Sequence, residues 1–253
     1  MSDDSAAQSI DPDAGSEADP TVLSMSDLSP RELHAAIHAI PAGVEDETLP
    51  IVKVIGLSGQ HSALARLDHA IRLEASGDLD DYAFAFNAQT DVRLTGSVGH
   101  GVGEGLISGA VRIRGNAGCG AGASMTGGTL AIYGDAGDRC GAGMRGGGIF
   151  VRGNVGDETG VGALGGMIVI GGDAGHNLGD AMTNMTIFIR GRAKTLAPGV
   201  TQAPLRKREQ LRLGLLLINA SIRGDANDFR RIVPEAVLEA EESSRGEVNP
   251  NWR

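Results

Sequence analysis

Between Val92 and Gly191, alternating apolar pairs recur at a constant step of 19 residues: Val92/Leu94, Val111/Ile113, Leu130/Ile132, Ile149/Val151, Ile168/Ile170 and Ile187/Ile189. Alternation of this kind predicts a short strand with one buried face. Each pair is followed by a glycine, at Gly96, Gly115, Gly134, Gly153, Gly172 and Gly191. A further glycine stands seven residues beyond the first five of these, at Gly103, Gly122, Gly141, Gly160 and Gly179. Strand-and-corner units without a gap predict a chain that bends at glycine and restacks on itself once per unit. The expected fold is all-β, a solenoid rising about 4.8 Å per coil.

The flanks read differently. Ser29, Pro30 and Glu32 form a helix-start signal, Leu33, Ile37 and Ile40 recur at helical spacing, and Pro41 marks the stop. Residues 49–57 (LPIVKVIGL) predict a strand. From Ala70 a worn copy of the repeat follows, with Ile71, Leu73 and Gly77, but with Tyr82, Phe84 and Phe86 at its far corner, as expected of a terminal cap. After Gly191 the register fails at Lys194, an apolar block runs from Leu213 to Ile218, Asp225 or Asn227 offers a cap for a short turn, and Pro234 opens a last helix to Glu242. The chain thus divides into an acidic leader (1–24) expected to be disordered, a helix-and-strand extension (25–69), a β-helix (70–197), and a C-terminal cap ending in a mobile tail (198–253).

Composition refines this picture. Thirty of the 39 glycines lie in 92–191, and aromatics make up only 3% of the chain, which suits a thin solenoid core of Val, Ile, Ala and Met. Net charge is −10, and residues 1–50 carry eleven acids against Arg31, so residues 51–253 are balanced at 21 acidic and 21 basic. A neutral body argues against nucleic acid as a partner. Cys119 and Cys140 make no disulfide framework, no apolar run is long enough to span a bilayer, and the acidic N-terminus does not read as a signal peptide, so a cytoplasmic setting is expected.

Two corner columns carry polar side chains. His100, Cys119, Asp138, Asp157 and His176 are all metal-capable, but one ion can bridge only two rungs, so a shell would need a further ligand from a neighbouring subunit. The competing reading is a solvent-facing corner that tolerates short polar residues. Ser97, Asn116, Asp135, Asn154 and Asp173 read as a turn ladder. Glycine strings such as Gly101-Val102-Gly103 are corners and not a dinucleotide fingerprint, since they recur in every unit. Catalytic motifs of the G-x-S-x-G, H-E-x-x-H and P-loop kinds are missing. Docking candidates are the outward face, which passes from Arg112, Arg114 and Arg152 to Phe150 and Phe188, and the basic residues Arg206, Lys207, Arg208, Arg230 and Arg231.

The runs 115–130 (GNAGCGAGASMTGGTL), 134–147 (GDAGDRCGAGMRGG) and 153–166 (GNVGDETGVGALGG) resemble the GXGXG family. That family includes the C-terminal domain of the glutamate synthase large subunit, a formylmethanofuran dehydrogenase subunit and the free-standing subunits of N-methylglutamate synthases. A separate polypeptide of this length, with NDFRRIVP at 227–234, is most similar to the last group. The resemblance covers about 70–191 and implies a right-handed parallel β-helix acting as a non-catalytic scaffold. It further implies an amidotransferase-like partner and a synthase-like partner holding FMN and an iron–sulfur cluster, with no cofactor on this chain. The complex would convert methylamine and glutamate to N-methylglutamate and ammonia.

Overall fold

A computed structural model describes residues 20–43, 49–220, 222 and 224–246. Eleven strands form one continuous ladder, in the order β1 (Thr21–Ser24), β2 (Ile51–Ile55), β3 (Arg72–Ser76), β4 (Asp91–Thr95), β5 (Ala110–Ile113), β6 (Thr129–Ile132), β7 (Gly148–Val151), β8 (Gly165–Ile170), β9 (Asn184–Ile189), β11 (Arg230–Pro234) and β10 (Val200–Ala203). From β1 to β9 every pairing is parallel, and the solenoid makes about seven coils. The register matches the repeat residue for residue: Val92 pairs with Val111, Leu130 with Ile149, and Ile168 with Ile187.

The inward pairs are the core. Val92, Val111, Leu130, Ile149, Ile168 and Ile187 are fully buried, and each stacks on its counterpart in the next coil. A second ladder of single bridges, Leu79, Val98, Ala117, Ala136, Val155, Ala174 and Ala193, closes another side of each coil. The corners between the sides are tight. Gly141 sits at φ +70° with Ile168 Cδ1 2.6 Å from where a Cβ would stand, so neither the conformation nor the space admits a side chain.

The solenoid begins earlier than the regular period suggests. β2 pairs with β3 through Val52 and Leu73, a step of 21 residues instead of 19, and the two additional residues mask this coil from a fixed-period reading. β1 extends the ladder one strand further, so Thr21–Ser24, expected within the disordered leader, form its N-terminal edge. The rest of the leader, 1–19, lies outside the described residues, as do 247–253 of the predicted tail.

Helix α1 (Pro30–His38) starts on the expected capping box: Ser29 Oγ accepts from Glu32 N–H at 3.3 Å, and Glu32 accepts from Ser29 N–H at 2.9 Å. Its Leu33 and Ile37 are buried in the solenoid core, which plugs the first coil. The other end closes by reversal. β11 runs antiparallel to β9 and to β10, and Ile232 pairs with Ile187. Helix α2 (Lys207–Asn219) lies between β10 and β11 in sequence, a short 3-10 turn (Ala226–Asp228) is capped by Asp225, and helix α3 (Glu235–Gly246) begins directly after Pro234, which is still the end of β11.

Candidate interaction surface

Strand alternation puts three columns on the outer face of the sheet. The central one reads Lys53, Glu74, Arg93, Arg112, Ala131, Phe150, Val169 and Phe188. A flanking column reads Thr95, Arg114, Tyr133, Arg152, Gly171 and Arg190 at the 19-residue step. Charge therefore gathers on the early coils and apolar area on the later ones.

On the early coils, Arg93, Arg112, Arg114, Tyr133 and Arg152 line a shallow concavity of about 570 Å³ with Leu94 and Thr95. Asp91 partly neutralises it, pairing with Arg112 and standing 3.9 Å from Arg93 and 3.8 Å from Arg72. Arg114 and Arg152 are exposed on either side of Tyr133, two rungs and so roughly 10 Å apart. Four guanidiniums against one carboxylate leave the concavity cationic, suited to carboxylates or phosphates arriving on a partner.

On the later coils the apolar column is not free. Phe150 and Phe188 were candidates for docking, but they are only 4% and 6% exposed, because α2 lies over them. Leu213 and Leu217 of α2, with Ile222, Ala226 and Phe229, bury Ala131, Phe150, Val169 and Phe188 in a second core outside the solenoid. The basic-to-apolar change along the face is thus the footprint of the chain's own C-terminal cap. Arg231 is a second correction. It is 2% exposed and holds the cap together, its Nε 3.0 Å from Glu209 and its Nη2 2.6 Å from Glu241. Arg206 pairs with Glu241 as well, Arg230 is half-buried on β11, and Lys207 and Arg208 remain exposed.

The corner columns have a shared explanation. Ser97 N–H donates to Asp78, Asn116 N–H to Ser97, Asp135 N–H to Asn116, Asn154 N–H to Asp135 and Asp173 N–H to Asn154, all at 2.6–3.1 Å. In the metal-capable column the same bond recurs: His100 N–H donates to Asp81, Cys119 N–H to His100 Nδ1, Asp157 N–H to Asp138 and His176 N–H to Asp157. The side chains of His100, Asp138 and Asp157, like those of Ser97, Asn116, Asp135, Asn154 and Asp173, each accept from a backbone N–H of the next coil and so serve as rungs, and no three of His100, Cys119, Asp138, Asp157 and His176 gather their ligand atoms at one point.

Sequence reasoning missed a different grouping. His61, Asp80 and Asp81 bring one ligand atom each to within 4.8 Å of one another, the only such trio among the described residues. Asp80 stands one period after His61, so extending the register by one coil was the available signal. All three are exposed or half-buried, and an Asp81 carboxylate oxygen already accepts from His100 N–H at 2.6 Å. His61 also borders a cavity of about 690 Å³ between α1 and the corner at 57–66, lined by Leu33, His34, His38 and Leu64. His34, His38 and His69 cluster beside it, the His34–His38 pair tilted at 4.6 Å between ring centroids and the His38–His69 pair edge-on at 5.1 Å.

No protein-family model and no curated protein matches this chain. No helix among the described residues is long and apolar enough to cross a membrane.

Proposed function

We propose that the chain is the β-helix scaffold subunit of a glutamate-synthase-like complex, most closely an N-methylglutamate synthase acting in the cytoplasm on methylamine and glutamate. The observation that carries this reading is the unbroken 19-residue register of glycine corners, whose motifs resemble the GXGXG family. In this reading the chain supplies shape and a docking face, while an amidotransferase-like subunit and an FMN and iron–sulfur synthase-like subunit supply the chemistry. The cationic concavity at Arg93, Arg112, Arg114 and Arg152 supports it as a place for an acidic partner surface. The glutamate synthase and formylmethanofuran dehydrogenase settings differ only in the partner. Co-expression with the products of the two adjacent genes tests the reading: a stable ternary complex with methylamine-dependent activity is expected, and a monodisperse chain that ignores both would sink it.

One observation favours a second reading, an independent metal-dependent enzyme: the His61, Asp80 and Asp81 trio opens beside the cavity under α1. Its ligands are of the kinds that suit manganese or zinc, leaving the remaining positions to water. Calorimetric titration of the purified chain with each ion decides it, because binding unaffected by Asp80→Asn would remove the trio from consideration.

A further inference from the structure

Helix α2 has two apolar faces. The inner face, Leu213 and Leu217, is seated on the sheet. On the outer face Leu211, Leu215 and Ile218 are 75%, 66% and 75% exposed. At 100° per residue these three fall within an arc of about 60°, with the i, i+4, i+7 spacing of a helix–helix seam. A single exposed leucine is ordinary, whereas a stripe of three on a helix already anchored by its other face costs solubility and calls for a cover. We propose that this stripe is the docking seam for an acidic amphipathic helix of a partner protein.

The flanks select the sign of that partner. Lys207 borders the stripe on one side, and Arg208 and Arg212 border it on the other, all three exposed. Glu209, the helix's single carboxylate, turns away to accept from Arg206 N–H at 2.9 Å and to pair with Arg231 at 3.0 Å. The exposed face therefore presents branched apolar side chains, and among the described residues its border carries three cations and no carboxylate.

A second copy of the chain fits this face poorly. In heptad positions the seam puts Leu211 and Ile218 at d, Leu215 at a, Lys207 at g and Arg212 at e. Parallel copies would set Lys207 against Arg212, like charge against like, and antiparallel copies would offer neither cation a carboxylate, since Glu209 is turned away. The chain's own acidic leader supplies carboxylates but no seam, since Ile10 is the only Ile, Leu or Val in residues 1–20. A foreign helix with Leu or Ile on its seam and Glu on its flanks satisfies both requirements. The inference rests on reading the chain as a subunit, but not on which complex it joins.

The test uses the full chain and two synthetic helical peptides that share a Leu/Ile seam, one with Glu and the other with Lys at every flanking position. Fluorescence anisotropy should show the Glu peptide binding about tenfold or more tightly than the Lys peptide. Leu215→Asp should weaken it by at least about tenfold, and the double variant Lys207→Glu/Arg212→Glu should reverse the preference. These side chains face solvent, so melting temperatures should stay unchanged, which separates loss of docking from loss of fold. Equal binding of both peptides, binding of neither, or a dimer of the unmodified chain that Leu215→Asp abolishes would overturn the proposal. A chain that ignores the adjacent gene products but still selects the Glu peptide keeps the seam and loses only the complex assigned above.

Discussion

His100 Nδ1 accepts a hydrogen bond of 2.9 Å from the backbone N–H of Cys119, its counterpart one coil on. In a metal site that nitrogen would face an ion, but here it completes a backbone donor that the bend leaves over. The neighbouring Ser97 to Asp173 column does the same with hydroxyl, amide and carboxylate oxygens in turn, so what the position selects is a short acceptor. Charge is incidental to it.

That account predicts unequal effects at Asp135. Asp135→Asn retains the acceptor for Asn154 N–H and should leave the melting temperature nearly unchanged. Asp135→Ala loses it, at about 0.5–1.5 kcal/mol, or roughly 1–6 °C for a chain of this size. Thermal unfolding of the two variants checks it.

Gly141 and Gly162 share left-handed backbone, at φ +70° and +64°, but differ in space. No atom lies within 4 Å of a Cβ added at Gly162, whereas one at Gly141 would meet Ile168 Cδ1 at 2.6 Å and Ile149 Cδ1 at 3.2 Å. Gly162→Ala should cost only the backbone penalty of about 1 kcal/mol. Gly141→Ala should add overpacking of about 1–3 kcal/mol. Denaturant midpoints would expose the difference, and equal losses would contradict it.

The two thiols should behave as different chemical species. Cys140 is fully buried in the column of Ala121 and Val102, and burial pushes its thiol up to about 12. It should stay protonated and unreactive in the folded chain, while half-buried Cys119 takes up an alkylating reagent. Mass spectrometry after labelling at neutral pH should find one adduct, and two after denaturation.

Attachment of α1 should weaken in acid. Desolvation first, and then His34 and His69, hold the His38 imidazole below its ordinary 6.5, against the opposing pull of Asp68. A base with a depressed value takes up its proton more readily in the unfolded chain. The associated stability is therefore complete above about 6.5 and is lost as pH falls below it. Proteolysis at Arg31 should accelerate at pH 5 relative to pH 7.5, and His38→Gln should flatten that dependence.

At the cationic concavity, Arg114→Glu combined with Arg152→Glu should reduce recovery of the proposed partner subunits by about tenfold or more in a salt-sensitive manner. Both side chains are exposed, so the variant should keep the parent's melting temperature. Undiminished recovery would place the partners elsewhere.

The coils were legible because each repeats the same solution: Val111, Leu130 and Ile149 state the period, and Gly115 and Gly134 state the bend. Legibility ended where a residue's role depends on an element far along the chain. Phe150 and Phe188 look outward by alternation, and nothing near them in sequence announces that Leu213 and Leu217 will return to cover them. Arg231 likewise reads as a surface cation until Glu209 and Glu241 converge on it. The first coil was hidden for a local reason, its step of 21 residues between Val52 and Leu73. His61 itself lies in period with Asp80, 19 residues on, and went unread only because that coil was not recognised as part of the stack.

A stack of identical parallel rungs has no intrinsic reason to stop, and an open final rung is a template for another molecule. Here the last parallel rung, β9, is answered by β11 running the opposite way, and the first coil is stoppered by Leu33 and Ile37 of α1. Neither end repeats the geometry it would need to receive. The chain thus ends its own parallel register at β9, by topology and not by charge.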